Sequence, residues 1–413
     1  MRFYQKKCIF VAKLFAICNL KPMNTPLINT HDEQFLRRFR TKERVLRLSK
    51  EEVAMLQREA DQGDAFAQYG YGRWLYFKNP YEGAIGEAET LFDRTRDALP
   101  DSLAAYSQMM RYGETSLTRP SDMDVEGSKL LLRQAVECGS TYAAQTDARK
   151  RIFGIYCEAE PAQVAVEIEQ RIATERDSDP MWLCLLAFAY TEMDRQDDAI
   201  RCYEQALDRG EQDAYFFLAT TYLQRGNMAL YEEYMEEGIR QDCALCMFYQ
   251  ADMSEEDFNA LDEAEQVRIH QAIDKRLHRG LELGDGTCAY YLWYHHYYGE
   301  LGFPEDLEKA FDYLEAGIRL ADTTCIKEMV TEARAGCLPP SRTLSSMEIG
   351  ELALKAARYR PDDEEALSEL RRVDDPAFLL RHKEEMERYW MPLFEKLPEE
   401  ELDDDDGRFD AWT

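Results

Sequence analysis

The chain has 413 residues, of which 45% are hydrophobic and 31% charged, with 21 Gly and 14 Pro; this mix supplies a large apolar core and excludes global disorder and a turn-rich all-β fold. Eighty acidic against fifty basic side chains give a net charge of -30, a field that repels nucleic acid and anionic membrane and attracts basic partners. Eleven cysteines without regular pairing intervals fit free thiols packed as small apolar residues in a reducing, cytoplasmic setting better than they fit a disulfide framework.

Residues 1–48 form a basic arm. The first fifty residues hold twelve basic and three acidic side chains, a surplus of +9 that leaves -39 on the body. The opening MRFYQKK-CIFVAKLFAICNL has the charged start and apolar stretch of a secretory signal. Lys13 interrupts the apolar run, however, and no Ala-x-Ala-like cleavage site follows. Translation from Met23 is therefore the expectation, with export through this stretch as the alternative. No segment reaches the ~20 apolar residues that span a bilayer. In QFLRRFRTKERVLRL, Phe35, Phe39 and Leu46 intersperse with Arg37, Arg38, Arg40, Lys42, Arg44 and Arg47. That pattern suits either salt-dependent contact with nucleic acid or an amphipathic helix neutralised by the acidic body, and the body's field favours the second.

From residue 49 helix signals succeed one another. Ser49 and Glu52 have capping-box spacing and open a helix with Val53, Leu56 and Ala60 on one face, ending at Gly63. Punctuation then recurs at Gly63-Asp64, Pro100-Asp101, Gly139-Ser140, Asp179-Pro180, Gln212-Asp213, Asp242-Cys243, Gly286-Thr287 and Thr324-Cys325, at intervals of 30 to 44 residues. Such a period is the signature of stacked helix pairs. Around Pro180, Leu186, Ala187 and Tyr190 share one helical face and Ala199, Tyr203 and Ala206 another; Leu218, Ala219 and Tyr222 repeat the first set. A hairpin of two such helices cannot bury its apolar surface alone and must stack on its neighbours.

These residues resemble the tetratricopeptide repeat, with Leu-Ala-x-x-Tyr followed by Ala-x-x-x-Tyr-x-x-Ala. Glu211 stands where that family has a helix-terminating Pro, and Tyr231, Met235 and Gly238 replace the Ala-Phe-Ala series. The flanks resemble the related Sel1-like repeat. Ala289, Trp293, Tyr297, Gly302, Phe303, Asp306, Lys309, Ala310, Tyr313 and Leu314 follow its order; Asp306 would cap the second helix and Phe303 pack at its entry. Ala67 to Leu75 gives another first helix, and Asp124, Gly127, Leu131 and Ala135 a looser second one. Residues 140–178 and 243–286 match by length and helical patterning alone. The fold expected is all-α, an α-solenoid of antiparallel helix pairs over 49–363. Capping helices are expected over 364–397, with Ala366, Leu367, Leu370, Phe378, Leu379, Leu380, Met386, Trp390 and Leu393 as their apolar surface. Residues 398–413 are an acidic tail with little core-forming capacity, read as disordered.

The resemblance implies a concave groove lined by first-helix positions. Its register places there Phe66, Tyr69, Arg73 and Tyr76, then Phe188 and Glu192, then Phe216 and Gln224, and finally Tyr291, His295 and Tyr298. Rigid aromatics are effective binding anchors. The expected function is that of a non-catalytic adaptor whose acidic, aromatic-lined groove holds a basic or amphipathic protein segment. The rivals are a nucleic-acid binder using the arm, and an enzyme or regulatory subunit framed by repeats. No cofactor, metal or catalytic residue is assigned. Cys243-x-x-Cys246 has no second ligand pair for zinc. His295 and His296 adjoin on a helix and diverge by about 100°, so they suit no shared ion, and His295 is expected as a surface contact. The Asp403–Asp406 run lacks calcium-loop spacing, and Phe409 and Trp412 beside it could anchor a partner or fold back.

Overall fold

Helices begin in this chain where a short polar side chain meets the exposed amides of a first turn. The computed structural model describes residues 33–78, 82–112, 124–175 and 178–397; the Met23 start and the tail with Asp403–Asp406, Phe409 and Trp412 lie outside them. Two short arm helices, α1 (Glu33–Arg37) and α2 (Lys42–Leu46), lead to α3 (Lys50–Asp61). The capping box at its start is formed. Ser49 N donates to Glu52 Oε2 at 2.8 Å, and Glu52 N donates to Ser49 Oγ at 3.2 Å. Leu56 and Ala60 on α3 are buried.

Antiparallel pairs follow: α4 (Ala65–Lys78) with α5 (Glu82–Thr95), α6 (Pro100–Tyr112) with α7 (Val125–Glu137), α8 (Thr141–Phe153) with α9 (Pro161–Thr174), α10 (Met181–Glu192) with α11 (Gln196–Asp208), and α12 (Ala214–Gln224) with α13 (Met228–Arg240). After an irregular unit containing α14 (Glu255–Asn259) and α15 (Glu263–Glu282) come α16 (Gly286–Tyr298) with α17 (Leu307–Arg319), and α18 (Thr323–Ala335) with α19 (Ser346–Tyr359). No strand occurs among the described residues. Leu186, Ala187, Tyr190, Ala199, Tyr203, Ala206, Leu218 and Ala219 are all buried. The apolar side chains divide into clusters formed largely between neighbouring pairs, as stacking of hairpins requires. Asp124 and Asp306 cap α7 and α17, accepting from Gly127 N at 2.7 Å and Lys309 N at 3.0 Å.

Residues 243–286 depart from the expected helix pair. The place of a first helix holds only the 3-10 turn Ala244–Cys246. Gln250 then takes a left-handed φ of 66°, and Ser254 Oγ accepts from Asp257 N at 3.1 Å to begin α14. Cys243, Ala244, Cys246 and Met247 are nevertheless buried, so the apolar positions of a first helix are filled without its length.

Second helices approach the next first helix through a recurring small-residue contact. Gly238, Gly280 and Gly317 each face the cysteine eight residues on, and a Cβ on any of them would collide with Cys246, Cys288 or Cys325. Ala135 with Ala143, and Ala206 with Ala214, are buried at the same eight-residue spacing. The summed side-chain size is kept nearly constant: alanine with alanine, or glycine with cysteine. Close-packed interiors tolerate that exchange.

The C-terminal segment joins the last pair to an early one. Beyond α20 (Glu364–Arg371) and α21 (Pro376–Arg381), the π-turn Met386–Trp390 buries Trp390 completely. Its indole donates to Glu385 Oε1 at 3.0 Å, and Glu385 also holds Arg358. Arg358 in turn donates to the Tyr112 carbonyl at 3.3 Å, and its own carbonyl accepts from Tyr156 Oη at 3.1 Å. Tyr112 and Tyr359 pack at 4.7 Å, and Val125 shares a core cluster with Val330, Leu354 and Trp390. The stack thus curls until α19 meets α6. Leu379 and Leu380, expected in the apolar surface, are 37% and 77% exposed; α21 is a short helix that turns only Phe378 inward.

Candidate protein-binding groove

The first-helix surface carries a continuous ladder of rings. Phe153 meets Phe188 at 5.7 Å, Phe188 meets Phe217 at 4.8 Å, Phe217 meets Phe216 at 5.8 Å, and Phe216 meets Phe248 at 6.0 Å. Phe248 stacks on Tyr291 at 5.8 Å, Tyr291 on His295 at 6.1 Å, and His295 on Phe303 at 5.1 Å. Phe188, Phe216, Tyr291 and His295 are therefore brought together as one row, each of the first three part-buried. Phe153, Phe217 and Phe248 belong to it as well. They escaped sequence reading because Phe217 sits one position off the family register and Phe248 follows the truncated helix.

His295 is a correction. It is 1% exposed rather than a surface contact, and desolvation lowers its pKa from 6.5 to about 4, so it is a neutral ring within the ladder. His296 is equally buried, with Nδ1 2.9 Å from the Pro304 carbonyl. Cys243 and Cys246 are buried too, and the Cys246 thiol is pushed up by the hydrogen bond to Cys243 and by burial, a poor setting for a thiolate. Glu192 and Gln224 lie exposed at the ends of their helices, and Tyr298 is 53% exposed.

At the other end the groove is filled by the chain itself. Phe35, Phe39 and Val45 of the arm are buried. Phe35 meets Phe66 edge-on at 5.6 Å, and Phe39 meets Tyr69 at 6.3 Å. Arg73 donates to the carbonyls of Phe39 at 2.8 Å and Arg40 at 3.1 Å, and its guanidinium lies over Phe77 and Tyr142. Tyr69 and Arg73 are fully buried by this docking and Tyr76 packs on Phe77. These members of the expected groove therefore face the arm or the core rather than a free partner.

The arm's arginines meet acids from successive repeats. Arg40 pairs with Asp179 at 3.0 Å and Asp101 at 3.6 Å, and Arg37 with Asp179 at 3.6 Å. Arg44 pairs with Glu211, and Arg47 with Asp242 at 3.5 Å and with its carbonyl. Burial opposes the charge on Asp179, yet Arg44, Arg40 and Arg37 outweigh it and hold the carboxyl below its ordinary range. Farther along, Leu46 and Lys42 pack on Gly284, where a side chain would collide with Leu46 and where φ is +87°. Seven first-helix positions at about 10 Å spacing would extend far beyond an arm of fifteen residues. The stack must curl around it.

The acids that hold the arm were visible as punctuation at Asp101, Asp179 and Asp242, without any sign of their use. Glu211 carried the clearest signal, an acid where the tetratricopeptide pattern has proline. It is 3% exposed, a position that makes sense only with Arg44 beside it.

The class defined by this fold is the helical-repeat solenoid, a form whose curved faces serve protein contact. Residues 183–209, which cover most of the α10–α11 hairpin, match the Tetratricopeptide repeat model. Similar solved structures include a Sel1 repeat protein from Oxalobacter formigenes (16% identity, 87% of this chain and 99% of that one, TM-score 0.38). The c5321 protective antigen of uropathogenic Escherichia coli shares 15% identity over 77% of this chain and 73% of its own, with TM-score 0.35. The Cut9-Hcn1 hetero-tetramer structure of the APC/C matches at 13% identity over 84% and 64%, with TM-score 0.39. No curated protein matches the chain. Among the described residues, no helix is long and apolar enough to cross a membrane.

Proposed function

We propose that this chain is a non-catalytic interaction scaffold whose acidic, aromatic-lined inner surface accepts basic amphipathic protein segments. One observation carries the reading: residues 35–47 of the chain already lie on that surface. Their aromatic face fills the groove beside Tyr69, and Arg40, Arg44 and Arg47 pair with acids of successive repeats. Main-chain and side-chain complementarity of this kind sets partner choice more than raw affinity. A partner segment with the same spacing of Phe and Arg would compete with the arm. The arm's arginines are engaged with carboxylates, which disfavours the nucleic-acid alternative. Nine described cysteines are free thiols, six of them buried, in keeping with a reducing, cytoplasmic setting.

The test is fluorescence anisotropy with a labelled peptide of residues 33–48. Full-length chain carrying Arg44→Glu and Arg47→Glu, which loosen the arm, should bind it more tightly than the wild type does, and salt should weaken the binding. Adding Asp179→Asn and Glu211→Gln should remove it. Absence of binding to the arm-loosened chain refutes the proposal.

A further inference from the structure

Away from the arm, a cavity of about 400 Å³ opens between α7, α8 and the loop after α8, a size common to small-molecule sites (about 300–1,000 Å³). Its wall is apolar at Val125, Leu132 and Ile155, cationic at Arg111, Lys129, Arg133, Lys150 and Arg151, and acidic at Asp147, Glu158 and Glu160, a surplus of two positive charges. Two of these cations are already committed. Lys129 pairs with Glu126 at 3.1 Å, and Arg151 with Glu167 at 2.8 Å and Glu160 at 2.9 Å.

Arg111 has no acid partner among the described residues. It is 5% exposed, its Nε lacks a hydrogen-bond partner, and no described carboxylate pairs with it. Its guanidinium lies 4.4 Å from the Tyr156 ring and 5.6 Å from that of Tyr112, so it is held in place by aromatic faces. Lys150 likewise has no ion pair among the described residues; desolvation and then Arg111 lower its pKa to about 7 against the opposing charge of Asp147. Arg111 is thus a buried cation without a paired acid, which destabilises a fold, and half-buried Lys150 adds a like charge beside it that Asp147 only partly offsets. The wall carboxylates are turned to other work: Glu160 and Asp147 pair with Arg151 at 2.9 and 3.8 Å, and none of Asp147, Glu158 and Glu160 pairs with Arg111.

We propose that this cavity binds a small organic phosphate, with Arg111 and Lys150 taking the dianion and Val125, Leu132 and Ile155 its apolar body. The planar guanidinium suits bidentate contact with phosphate oxygens, and the ammonium supplies a second, mobile charge. Tyr156 forms one side of the cavity and also hydrogen-bonds the Arg358 carbonyl, so an occupant would sit beside the seam where the curled stack closes. This site is independent of the groove and of the arm.

The probe is phenyl phosphate, titrated calorimetrically into the full-length chain and followed by thermal melting. Wild type should bind it and melt higher in its presence, and benzoate, a monoanion with the same ring, should bind about tenfold more weakly. Lys150→Gln, which removes a half-buried charge next to Arg111 and should fold at least as well, should weaken phenyl phosphate about tenfold, while Lys150→Arg stays within about threefold of wild type. No melting shift or heat at about 1 mM phenyl phosphate overturns the site. So does undiminished binding by Lys150→Gln, and benzoate binding as tightly as phenyl phosphate overturns the assignment to phosphate.

Discussion

Three glycines, each facing a cysteine eight residues on, show how little volume separates one repeat from the next. Gly238→Ala would drive a methyl group into Cys246, and overpacking of this kind costs about 1–3 kcal/mol. The compensating Cys246→Ala should recover at least half of that loss in chemical denaturation, because Ala206 with Ala214 already packs in this way; additive losses in the double variant contradict the contact. His295 gives a second residue-scale expectation. Its folded pKa of about 4 lies below the ordinary 6.5, so on acidification the unfolded chain takes a proton that the folded one refuses. Stability therefore falls as pH drops from 6.5 toward 4. His295→Phe, which keeps a ring between Tyr291 and Phe303, should lessen the difference in melting temperature between pH 7 and pH 4.5. An unchanged difference argues against a neutral buried ring. None of this was legible from His295 itself: adjacent histidines on a helix diverge, and only the packing of Phe303 shows that both turn inward.

At the scale of elements, the arm is held by buried charge and by aromatic faces together. Removing one partner of a buried ion pair costs roughly 3–5 kcal/mol, so Asp179→Asn should release α1 and α2. Hydrogen exchange of amides 35–47 should accelerate at least about tenfold, while amides of α16 to α18 keep their rates; uniform acceleration or none contradicts a locally docked arm. Asp179 has a depressed carboxyl, so its contribution is complete above about pH 4 and is lost as pH falls through the depressed value. The arm's amphipathic pattern and its neutralisation by the body could be read from the sequence, because Phe35, Phe39 and the arginines alternate within one short stretch. Its address could not. The partners Asp101, Asp179, Glu211 and Asp242 are scattered over more than 140 residues and converge only when the stack curls. The helix periods, the capping box at Ser49 and the Asp306 cap were legible because each depends on residues three or four apart. The broken first helix at 244 was not, since its buried Cys243, Ala244 and Cys246 have the same spacing as a complete helix would give them.

For the whole molecule, curvature is the property that matters. It brings α19 to α6 through Arg358, Tyr112 and Tyr359, and gathers acids from distant repeats onto one arm. The repeat period announces a solenoid, but curvature accumulates from small rotations at each contact, including the glycine–cysteine and alanine–alanine steps, and no single motif encodes it. Scattering should register its loss: Arg358→Met should increase the radius of gyration if the seam holds the curl, and an unchanged profile would leave the curl to the stack alone. The central claim is that the acidic inner surface holds a basic segment, with the chain's own arm there until another replaces it. The most direct measurement is carbodiimide cross-linking of the Arg44→Lys chain, read by mass spectrometry. The expected product is an intramolecular amide between position 44 and Glu211, diminished by excess peptide of residues 33–48; no such bond, or one found only between molecules, contradicts the account.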